Sequence, residues 1–517
     1  MIKYIVLAGY LLFPTVSNHL FAQSAQPNII YILADDLGYG DVSFFNEDSK
    51  ITTPAIDNLA ERGVAFTDAH TSSAVCTPTR YGILTGRYNW RSTLKKSVLG
   101  GYSKALIEPE RMTVAELLQQ NGYHTAFVGK WHLGWDWSLG ERDESINSLN
   151  TNPPIDFTQP IENGPDTQGF DYSFGFNGSL DMPPYVYVED SRATSTVIDT
   201  TQNADYKGFW RKGPTAEDFN HTLTLDDLTE KAVSYINEQA NSPAPFFLYF
   251  ALPAPHTPIL PTTEFLGKSN TNFYGDFVLQ VDDVVRRVVE ALEQQGVREN
   301  TMIIFTSDNG CSPRADFEEL ATIGHDPSYV FRGHKADIYE GGHRVPFIVN
   351  WTGEIDNPVV SDEVICTTDF MATCADILEV SLPDDAAEDS YSLLPILQQE
   401  NLDSPLREAT VHHSIEGRFA IRKNDWKLIL WPGSGGWSAP RSGEALQGLE
   451  AMQLYNLAED IAEQENLYNE YPEVVKSLTE LLINYIEKGR STPGEPQSND
   501  GPTVWEQLDW MDAANAN

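Results

Sequence analysis

The residues with the clearest chemical potential surround Cys76. This cysteine is followed by Pro78, by Arg80 and, after four further residues, by Thr85-Gly86. Residues 80–84 are predicted to form the first turns of a helix, and the backbone amides at its N-terminus would attract an anion near Cys76. A cysteine taken alone is more often a buried structural thiol, so that interpretation stays open for this stretch by itself.

Two pairs of acidic or amide side chains each follow an apolar run. Asp35-Asp36 come directly after residues 27–34, and Asp308-Asn309 come directly after residues 301–307. Both runs are typical of strands buried on both faces of a parallel sheet, whose ligands bind at the carboxyl ends of the strands. Adjacent carboxylates repel one another unless a cation holds them, and hard oxygen ligands suit Ca²⁺ or Mg²⁺. The pattern favours a metal site over a solvated Asp pair and a plain Asn-Gly turn.

Four basic side chains stand in comparable positions. Lys130 and His132 follow a predicted strand at 125–128, and they lie on the same side if the extended geometry continues. His256 stands between two prolines after another predicted strand, so its imidazole is rigidly placed. Lys335 lies in a loop flanked by glycines. A surface lysine and a structural histidine are the ordinary alternatives, but the positions after strands favour a shared site.

The elements that must position these residues alternate along the chain. Apolar runs predict strands, and helical spacing of apolar residues predicts helices between them. Strands are predicted at 27–34, 64–66, 125–128, 245–250, 301–307 and 347–349, and helices at 53–63, 113–120, 225–239, 276–294 and 367–379. Residues 135–220 lack a regular pattern, and we interpret them as a loop-rich insertion that forms a wall of the substrate pocket.

A change of composition near residues 383–389 indicates a second unit. It is predicted to contain a hairpin, a short strand and a closing helix, at 418–422 with 426–431, 453–457 and 472–488. Trp505 and Trp510 indicate that part of the polar tail packs back. The predicted fold is α/β, a large mixed and mostly parallel sheet sandwiched by helices, with a smaller C-terminal α+β domain. The expected boundaries are 23–385 for the large domain and 386–517 for the smaller one.

The overall charge excludes some partners. The 517 residues carry a formal net charge of -41, and 41% of them are hydrophobic, which is ample for a packed globular protein. So acidic a surface repels nucleic acid and anionic membranes, and it stays soluble at high salt, which fits a saline source. An anionic substrate would need a local cluster of positive charge inside this envelope.

The N-terminus has the pattern of a secretory signal peptide over residues 1–22. Lys3 precedes an apolar run from Tyr4 to Phe13, and the small residue Ala22 stands before the expected cleavage site. The run is too short to span a bilayer. The mature protein is therefore predicted to be periplasmic or secreted, with no membrane partner after removal of the signal.

Some cysteines and histidines lie outside these patterns. Cys366 and Cys374 could form a disulfide, although free buried thiols are the favoured interpretation. His412 and His413 could line the pocket from the smaller domain, although a structural or surface role is the favoured one. We find no Cys/His spacing typical of a zinc site.

Six motifs follow one another along the chain, and together they carry a family resemblance that covers roughly residues 27–480. They are Asp-Asp-x-Gly-x-Gly-Asp from residue 35, Cys-x-Pro-x-Arg-x4-Thr-Gly from 76, Gly-Lys-Trp-His from 129, Pro-His-x-Pro from 255, Asp-Asn-Gly from 308, and Gly-x-Lys-x4-Glu-Gly-Gly-x-Arg-Val-Pro from 333. The set resembles the type I sulfatases of the alkaline phosphatase superfamily, with no departure at any site position.

The resemblance implies a nucleophile and a metal. Cys76 would be converted by a formylglycine-generating maturation enzyme to Cα-formylglycine, whose hydrate is the nucleophile. Residue 76 and four others would hold one Ca²⁺, with Mg²⁺ the less favoured ion: Asp35, Asp36, Asp308 and Asn309. A geminal diol suits this role because one hydroxyl attacks sulfur, and deprotonation of the other frees the sulfate.

The resemblance also implies roles for the basic residues. Arg80 would support the formylglycine hydrate, and Lys130 and Lys335 would bind sulfate oxygens. His256 would protonate the leaving alcohol, and His132 would deprotonate the hydrate and help to expel sulfate. Imidazoles suit these proton transfers because their pKa lies near neutrality.

The expected activity is hydrolysis of sulfate esters on a sulfated carbohydrate. An exported acidic protein with an aromatic-rich insertion favours a polysaccharide of algal type or its oligosaccharides, with animal glycosaminoglycans second. A phosphodiesterase or phosphonate monoester hydrolase of the same superfamily is the first alternative. The second is a non-catalytic carbohydrate-binding relative, which the intact motifs disfavour.

Overall fold

The computed structural model describes residues 26–138, 152–355, 357–400 and 402–511. The strands are β1 Asn28–Asp35, β2 Val64–Phe66, β3 Ala69–His70, β4 His124–Lys130, β5 Tyr172–Phe176, β6 Val188–Glu189, β7 Arg192–Ala193, β8 Val197–Asn203, β9 Trp210–Ala216, β10 Phe246–Pro255, β11 Thr301–Ser307, β12 Phe347–Asn350, β13 Val359–Ser361, β14 Ile365–Cys366, β15 Thr410–His413, β16 Phe419–Lys423, β17 Trp426–Ile429 and β18 Gln453–Asn456. The helices are α1 Pro54–Glu61, α2 Cys76–Thr85, α3 Val114–Gln120, α4 Thr224–Gln239, α5 Phe273–Gln295, α6 Phe317–Ala321, α7 Glu340–His343, α8 Phe370–Ile377, α9 Leu394–Leu397 and α10 Pro472–Lys488.

A large mixed sheet forms the centre of the molecule, in the order β13-β2-β12-β11-β1-β10-β4-β5-β6-β7. Its middle strands β11, β1, β10, β4 and β5 are all parallel to their neighbours within this group. Antiparallel pairs flank this group on both sides. The predicted mixed and mostly parallel sheet is therefore confirmed.

Alternate residues of β1 belong to two separate apolar cores, one on each face of the sheet. Ile30, Ile32 and Ala34 face the core that includes α1, α4 and α5. Ile29, Tyr31 and Leu33 face the core that includes α2, α3 and α8. Because both faces are covered, the strand is apolar throughout rather than alternating.

The longest helix, α5, has clear start and stop signals. The Asn272 side chain accepts hydrogen bonds from the amides of Tyr274 and Gly275, and Gly296 ends the helix at φ 71°. Its apolar stripe, including Val281, lies in the core below the sheet. Both ends of the prediction at 276–294 agree with the observed helix to within a few residues.

A second, four-stranded antiparallel sheet, β15-β16-β17-β18, lies near the C-terminus. The β16–β17 hairpin turns at Asn424 and Asp425, as predicted, and α10 covers its apolar face. Trp505 is buried in this core and Trp510 packs against it, so the prediction that the tail packs back is confirmed.

The structure differs from the sequence-based expectation in two regions. The segment 135–220 is not loop throughout, because it supplies β5, β6 and β7 to the large sheet and forms the β8–β9 hairpin. These strands are short or partly exposed, so they lack the apolar run that marks the central strands. Helix α2 begins at Cys76 itself rather than near Arg80, because residue 75 already adopts the extended backbone of an N-cap.

Some predictions are not tested by the described residues. The signal peptide at 1–22 lies outside them. The domain boundary at residues 385 and 386 stays a prediction. Within the described ranges, no helix has both the length and the apolar character needed to cross a membrane.

Candidate active site

The predicted site residues meet at one edge of the large sheet. Asp35 ends β1, Lys130 ends β4, His256 follows β10 and Asp308 follows β11. These four strands are adjacent and parallel, so their carboxyl ends lie side by side. Residues far apart in sequence are thereby brought together by the strand order alone.

Helix α2 delivers Cys76 and Arg80 to the same edge. Cys76 is the first residue of the helix and is 2% exposed. Burial raises the pKa of its thiol, so the unmodified side chain is a poor nucleophile at neutral pH. The unpaired amides of the first helical turn surround this position and favour negative charge there.

Four oxygen-bearing side chains form a compact cluster beside Cys76. Ligand atoms of Asp35, Cys76 and Asp308 lie within 4.8 Å of one another. The Asn309 amide nitrogen donates to Asp36 Oδ1 at 2.7 Å, which turns its own oxygen away from that bond. Asp36 reaches the cluster from a left-handed backbone conformation, φ 66°, which is uncommon for a residue other than glycine and typical of functional sites.

The donor atoms of this cluster fit a divalent cation. Asp35 Oδ1, Asp36 Oδ2 and Asn309 Oδ1 are buried and have no hydrogen-bond partner within the described residues. Buried oxygens without partners are costly in the absence of a cation. Carboxylate and amide oxygens are the ligands that Ca²⁺ takes, and Mg²⁺ uses the same chemistry with a stricter geometry.

The charges around the cluster are strongly coupled. Although burial raises the pKa of Asp35, the surrounding positive charges, Lys130 foremost, together outweigh it and lower the pKa well below its usual range. For Asp308, burial and then the Asp35 carboxylate raise the pKa to about 7. Arg80 donates from Nε and Nη2 to Asp308 Oδ2 at 3.0 and 2.8 Å, and these bonds partly offset the free-energy cost of burying the Asp308 carboxylate.

Two lysines are held at the site by carboxylates. Lys130 Nζ lies 2.5 Å from Asp35 Oδ2, and Lys335 Nζ lies 2.6 Å from Asp36 Oδ1. Burial opposes the charge of Lys335, but the surrounding acidic groups, Asp36 foremost, together outweigh burial and raise the pKa of Lys335. Each ammonium group is thus fixed beside a carboxylate, in a position from which it can also bind the oxygens of an anion.

Ser179 joins Lys130 to His256. Its hydroxyl accepts from Lys130 Nζ at 3.0 Å and lies 3.2 Å from His256 Nδ1. The His256 Nδ1 also lies 2.5 Å from the Thr257 carbonyl, which places the proton on that nitrogen and leaves Nε2 directed toward the site, 3.7 Å from Asp36 Oδ2. Burial lowers the pKa of His256, with a further contribution from Lys335.

His132 is buried at the site, but the backbone that leads to it from β4 differs from the expectation. β4 ends at Lys130 and His132 has a φ of 55°, so the extended geometry on which the same-side placement of Lys130 and His132 depended does not continue. The ring donates from Nε2 to the Leu99 carbonyl at 2.8 Å. Its Nδ1 has no partner within the described residues and is free to accept a proton. Burial and then Lys130 lower its pKa well below the ordinary value.

Sequence reasoning missed Ser179. It lies three residues after β5, at the same carboxyl edge as the other site residues. The signal that could have found it is the run of small polar residues Asn177-Gly178-Ser179 after a strand. That signal was lost because β5 was interpreted as part of an irregular segment.

An open cavity of about 530 Å³ leads from the surface to His256 and Lys335. Its wall includes Asp181 and Arg211 from the 135–220 segment, as expected, and Trp437 from the C-terminal part of the chain. A volume of this order accommodates a sugar unit and part of its neighbour. Two of the predicted site residues, His256 and Lys335, thus border a cleft open to solvent.

The other histidines and cysteines have structural positions. His412 is buried against His70 and His343, and neither it nor His413 lines the cavity. Nitrogen atoms of His70, His343 and His412 lie within 4.8 Å of one another. The rings of His343 and His412 stack in parallel 3.9 Å apart, so their in-plane lone pairs do not converge on one ion. All four cysteines are free, as favoured for Cys366 and Cys374.

Comparison with known proteins agrees with this geometry. Residues 27–380 match the sulfatase family model, and residues 334–488 match the model described as N-sulphoglucosamine sulphohydrolase, C-terminal. An N-acetylgalactosamine-6-O-sulfatase of Bacteroides thetaiotaomicron is 34% identical, covering 89% of this chain and 93% of that protein. An arylsulfatase of Hemicentrotus pulcherrimus is 32% identical, covering 80% of this chain and 68% of that protein.

Solved structures show the same architecture. A structure from work on glycosaminoglycan metabolism by Bacteroides thetaiotaomicron superposes with a TM-score of 0.76 at 33% identity, covering 89% of this chain and 99% of that one. A protein solved in complex with a neocarrahexaose superposes with a TM-score of 0.68 at 23% identity, covering 95% of this chain and 99% of that one, which shows the fold alone. The chain belongs to the type I sulfatase family, with the alkaline phosphatase-like fold, and is a sulfuric ester hydrolase.

Proposed function

We propose that this protein is an exported sulfatase that hydrolyses sulfate esters of sulfated carbohydrates. The observation that carries the proposal is the convergence, around Cys76, of acidic oxygens without a partner in the described part of the chain, two lysines paired with carboxylates and two buried imidazoles. Conversion of Cys76 to formylglycine by a maturation enzyme and binding of Ca²⁺ by Asp35, Asp36, Asp308, Asn309 and residue 76 are parts of this proposal. Export rests on the signal-peptide pattern of residues 1–22.

Formylglycine at residue 76 would supply a nucleophilic oxygen, and Ca²⁺ would neutralise negative charge on the sulfate. Lys130 and Lys335 bind the sulfate oxygens and hold the sulfur in place for attack. When the ester S–O bond breaks, His256 in its doubly protonated form gives the Nε2 proton to the departing sugar oxygen and becomes neutral. His132 accepts a proton at Nδ1, the ring nitrogen that the Leu99 carbonyl leaves free. Arg80 keeps Asp308 in position through two hydrogen bonds.

The substrate we favour is a glycan with a sulfate on C6 of a galacto-configured sugar. The relative that is 34% identical over most of both chains is named an N-acetylgalactosamine-6-O-sulfatase, which supports this choice. The net charge of -41 supports a saline source and hence an algal polysaccharide as the second candidate. The two candidates differ in the sugar and its neighbours, not in the chemistry of the ester.

The test combines the state of residue 76 with sulfate release. The protein is expressed with and without a formylglycine-generating enzyme, and the peptide that contains Cys76 is analysed by mass spectrometry. Sulfate release is then measured on 6-O-sulfated N-acetylgalactosamine, on algal galactan oligosaccharides and on an aryl phosphodiester. We expect the aldehyde mass only with the maturation enzyme, and sulfate release only from that sample.

Two variants make the result specific. Cys76→Ala is expected to abolish sulfate release, whereas Cys374→Ala, which removes another buried free thiol on α8 and outside the site motifs, is the matched control. Cleavage of the phosphodiester by the matured enzyme without sulfate release would instead favour the phosphodiesterase alternative. Binding of the glycans with no turnover of any ester would favour the non-catalytic alternative.

A further inference from the structure

The mouth of the cavity is basic although the protein is strongly acidic. Three guanidinium groups and three aromatic rings border it next to His256 and Lys335: Arg211, Arg314, Arg441, Tyr206, Phe209 and Trp437. The chain has 34 basic residues against 75 acidic ones. Three arginines at one opening are therefore a marked local reversal of charge. The sulfate-binding role of Lys130 and Lys335 does not explain why these arginines are there.

Two of these arginines keep hydrogen-bond donors available. Arg211 is paired with Asp181. By contrast, Arg314 and Arg441 have no carboxylate partner within the described residues, and each donates to a backbone carbonyl, Arg314 to Tyr206 at 3.1 Å and Arg441 to Trp437. Because a guanidinium group has five N–H donors, both can still bind an oxyanion.

Aromatic rings hold the guanidinium groups in position. Arg211 and Arg314 each lie 5.5 Å from the centroid of the same Phe209 ring, and Arg314 lies 4.7 Å from that of Tyr206. Such contacts stabilise the cation and reduce the entropy lost when it binds a ligand. Two of the three charges thus share one ring at the cavity mouth.

The third arginine is tied to the catalytic end of the cavity. Arg441 is bonded to the Trp437 carbonyl, and the Trp437 amide donates to Asp337 Oδ1 at 2.7 Å. Asp337 also accepts from the Ser438 amide at 3.0 Å and hydroxyl at 2.6 Å. Since Asp337 follows Lys335 by two residues, the loop that carries Arg441 is anchored beside a lysine of the sulfate site.

We propose that Arg314 and Arg441, with Arg211, form a second anion-binding subsite for the sugar next to the one that carries the cleaved sulfate. The ligand group is an oxyanion, either the carboxylate of a uronic acid or a second sulfate ester, and the aromatic rings pack against the sugar faces. The planar fork of arginine matches both groups. This inference rests on the proposed function and specifies its substrate as a glycan with anionic groups on adjacent sugars.

The test compares disaccharides that share the cleaved sulfate and differ only in the neighbouring sugar. One has a neutral neighbour, one has a uronic acid and one has a second sulfate. The matured wild-type enzyme is expected to show a higher kcat/KM for at least one anionic neighbour than for the neutral one, and added salt should reduce that preference. The two anionic substrates distinguish a carboxylate from a sulfate ligand.

Arg314→Gln and Arg441→Gln are each expected to reduce the preference for the anionic neighbour about ten-fold. Arg286→Gln, an exposed arginine on α5, is the matched control and should leave the preference unchanged. Equal kcat/KM for neutral and anionic neighbours in the wild type would overturn the proposal. So would an equal loss for all three substrates in the arginine variants.

Calorimetry separates this proposal from the proposed function. Cys76→Ala is titrated with the same disaccharides, because this variant lacks the nucleophile and is expected to bind without turnover. The subsite would be supported if Cys76→Ala bound a disaccharide with an anionic neighbour more tightly than the neutral one, and if the double variant Cys76→Ala with Arg314→Gln did not. This result would support the subsite even if the matured enzyme released no sulfate. Equal affinities for the neutral and anionic disaccharides would contradict it in the same sample.

Discussion

Replacing His256 by alanine is expected to slow the hydrolysis of a sugar sulfate far more than that of a nitrophenyl sulfate. A sugar alkoxide is a poor leaving group and needs a proton as the S–O bond breaks. Nitrophenolate is stable at neutral pH and leaves without one. If His256 is the proton donor, the defect of the variant must therefore depend on the leaving group.

The structure indicates the size of this effect. A positioned general acid contributes about 10²–10⁴-fold, or about 3–5 kcal/mol of barrier height. His256 is only 8% exposed, and Ser179 and the Thr257 carbonyl hold its ring in one orientation. Because bulk water cannot easily replace a donor fixed in this way, we expect a loss in the upper half of that range for the sugar sulfate and a loss of about ten-fold or less for the nitrophenyl ester.

The assay is kcat/KM for both esters with the matured enzyme, measured for the wild type and for His256→Ala. His124→Ala, at the exposed start of β4, is the matched control and should behave as the wild type does. An equal loss on both esters would refute the reasoning. In that case His256 would bind sulfate or support the fold, and another group would protonate the sugar oxygen.

Three further predictions concern stability, metal binding and the residue that sequence reasoning missed. Burial lowers the pKa of His221 from 6.5 to about 4. Because the pKa is lower in the folded state, His221 contributes about 3 kcal/mol to the free energy of unfolding above pH 6.5, and this contribution is lost as the pH falls to about 4. His221→Gln should therefore lose less stability than the wild type between those pH values in urea unfolding, and an unchanged pH slope would contradict this. Added Ca²⁺ should raise the thermal midpoint of the wild type and EDTA should lower it, whereas Asp35→Asn should show a much smaller shift; an equal shift would exclude Asp35 as a ligand. Ser179→Ala should lower kcat about ten-fold, because the hydroxyl positions Lys130 and His256, with little change in thermal midpoint; an unaltered kcat would leave Ser179 a structural residue.

Much of the fold could be predicted because the decisive patterns are local. β1, β10 and β11 are continuous apolar runs, since strands buried on both faces need apolar residues at every position. Helices α5 and α10 have apolar stripes and end at glycines with positive φ. Each of these signals lies within the element that it specifies.

The strands β5 to β9 could not be predicted in the same way. β5 pairs with a strand distant in sequence, for example Phe174 with Val128, and the hairpin strand β8 has residues of mixed polarity and mostly exposed positions. The environment of His132 was likewise missed, because one residue at positive φ redirects the chain after β4. A periodic pattern carries no information about such a local reversal.

The sequence by itself predicted the side chains of the site, Ser179 excepted, because the motifs specify residue types at strand ends and at the start of a helix. Only the tertiary structure decided how these side chains are paired. The order of parallel strands places Asp35 beside Asp308 and Lys130, and the anchor on Asp337 brings the Trp437–Arg441 loop beside Lys335. Element type follows from short-range periodicity, whereas the distance between residues from separate elements depends on topology and packing, which no single segment encodes.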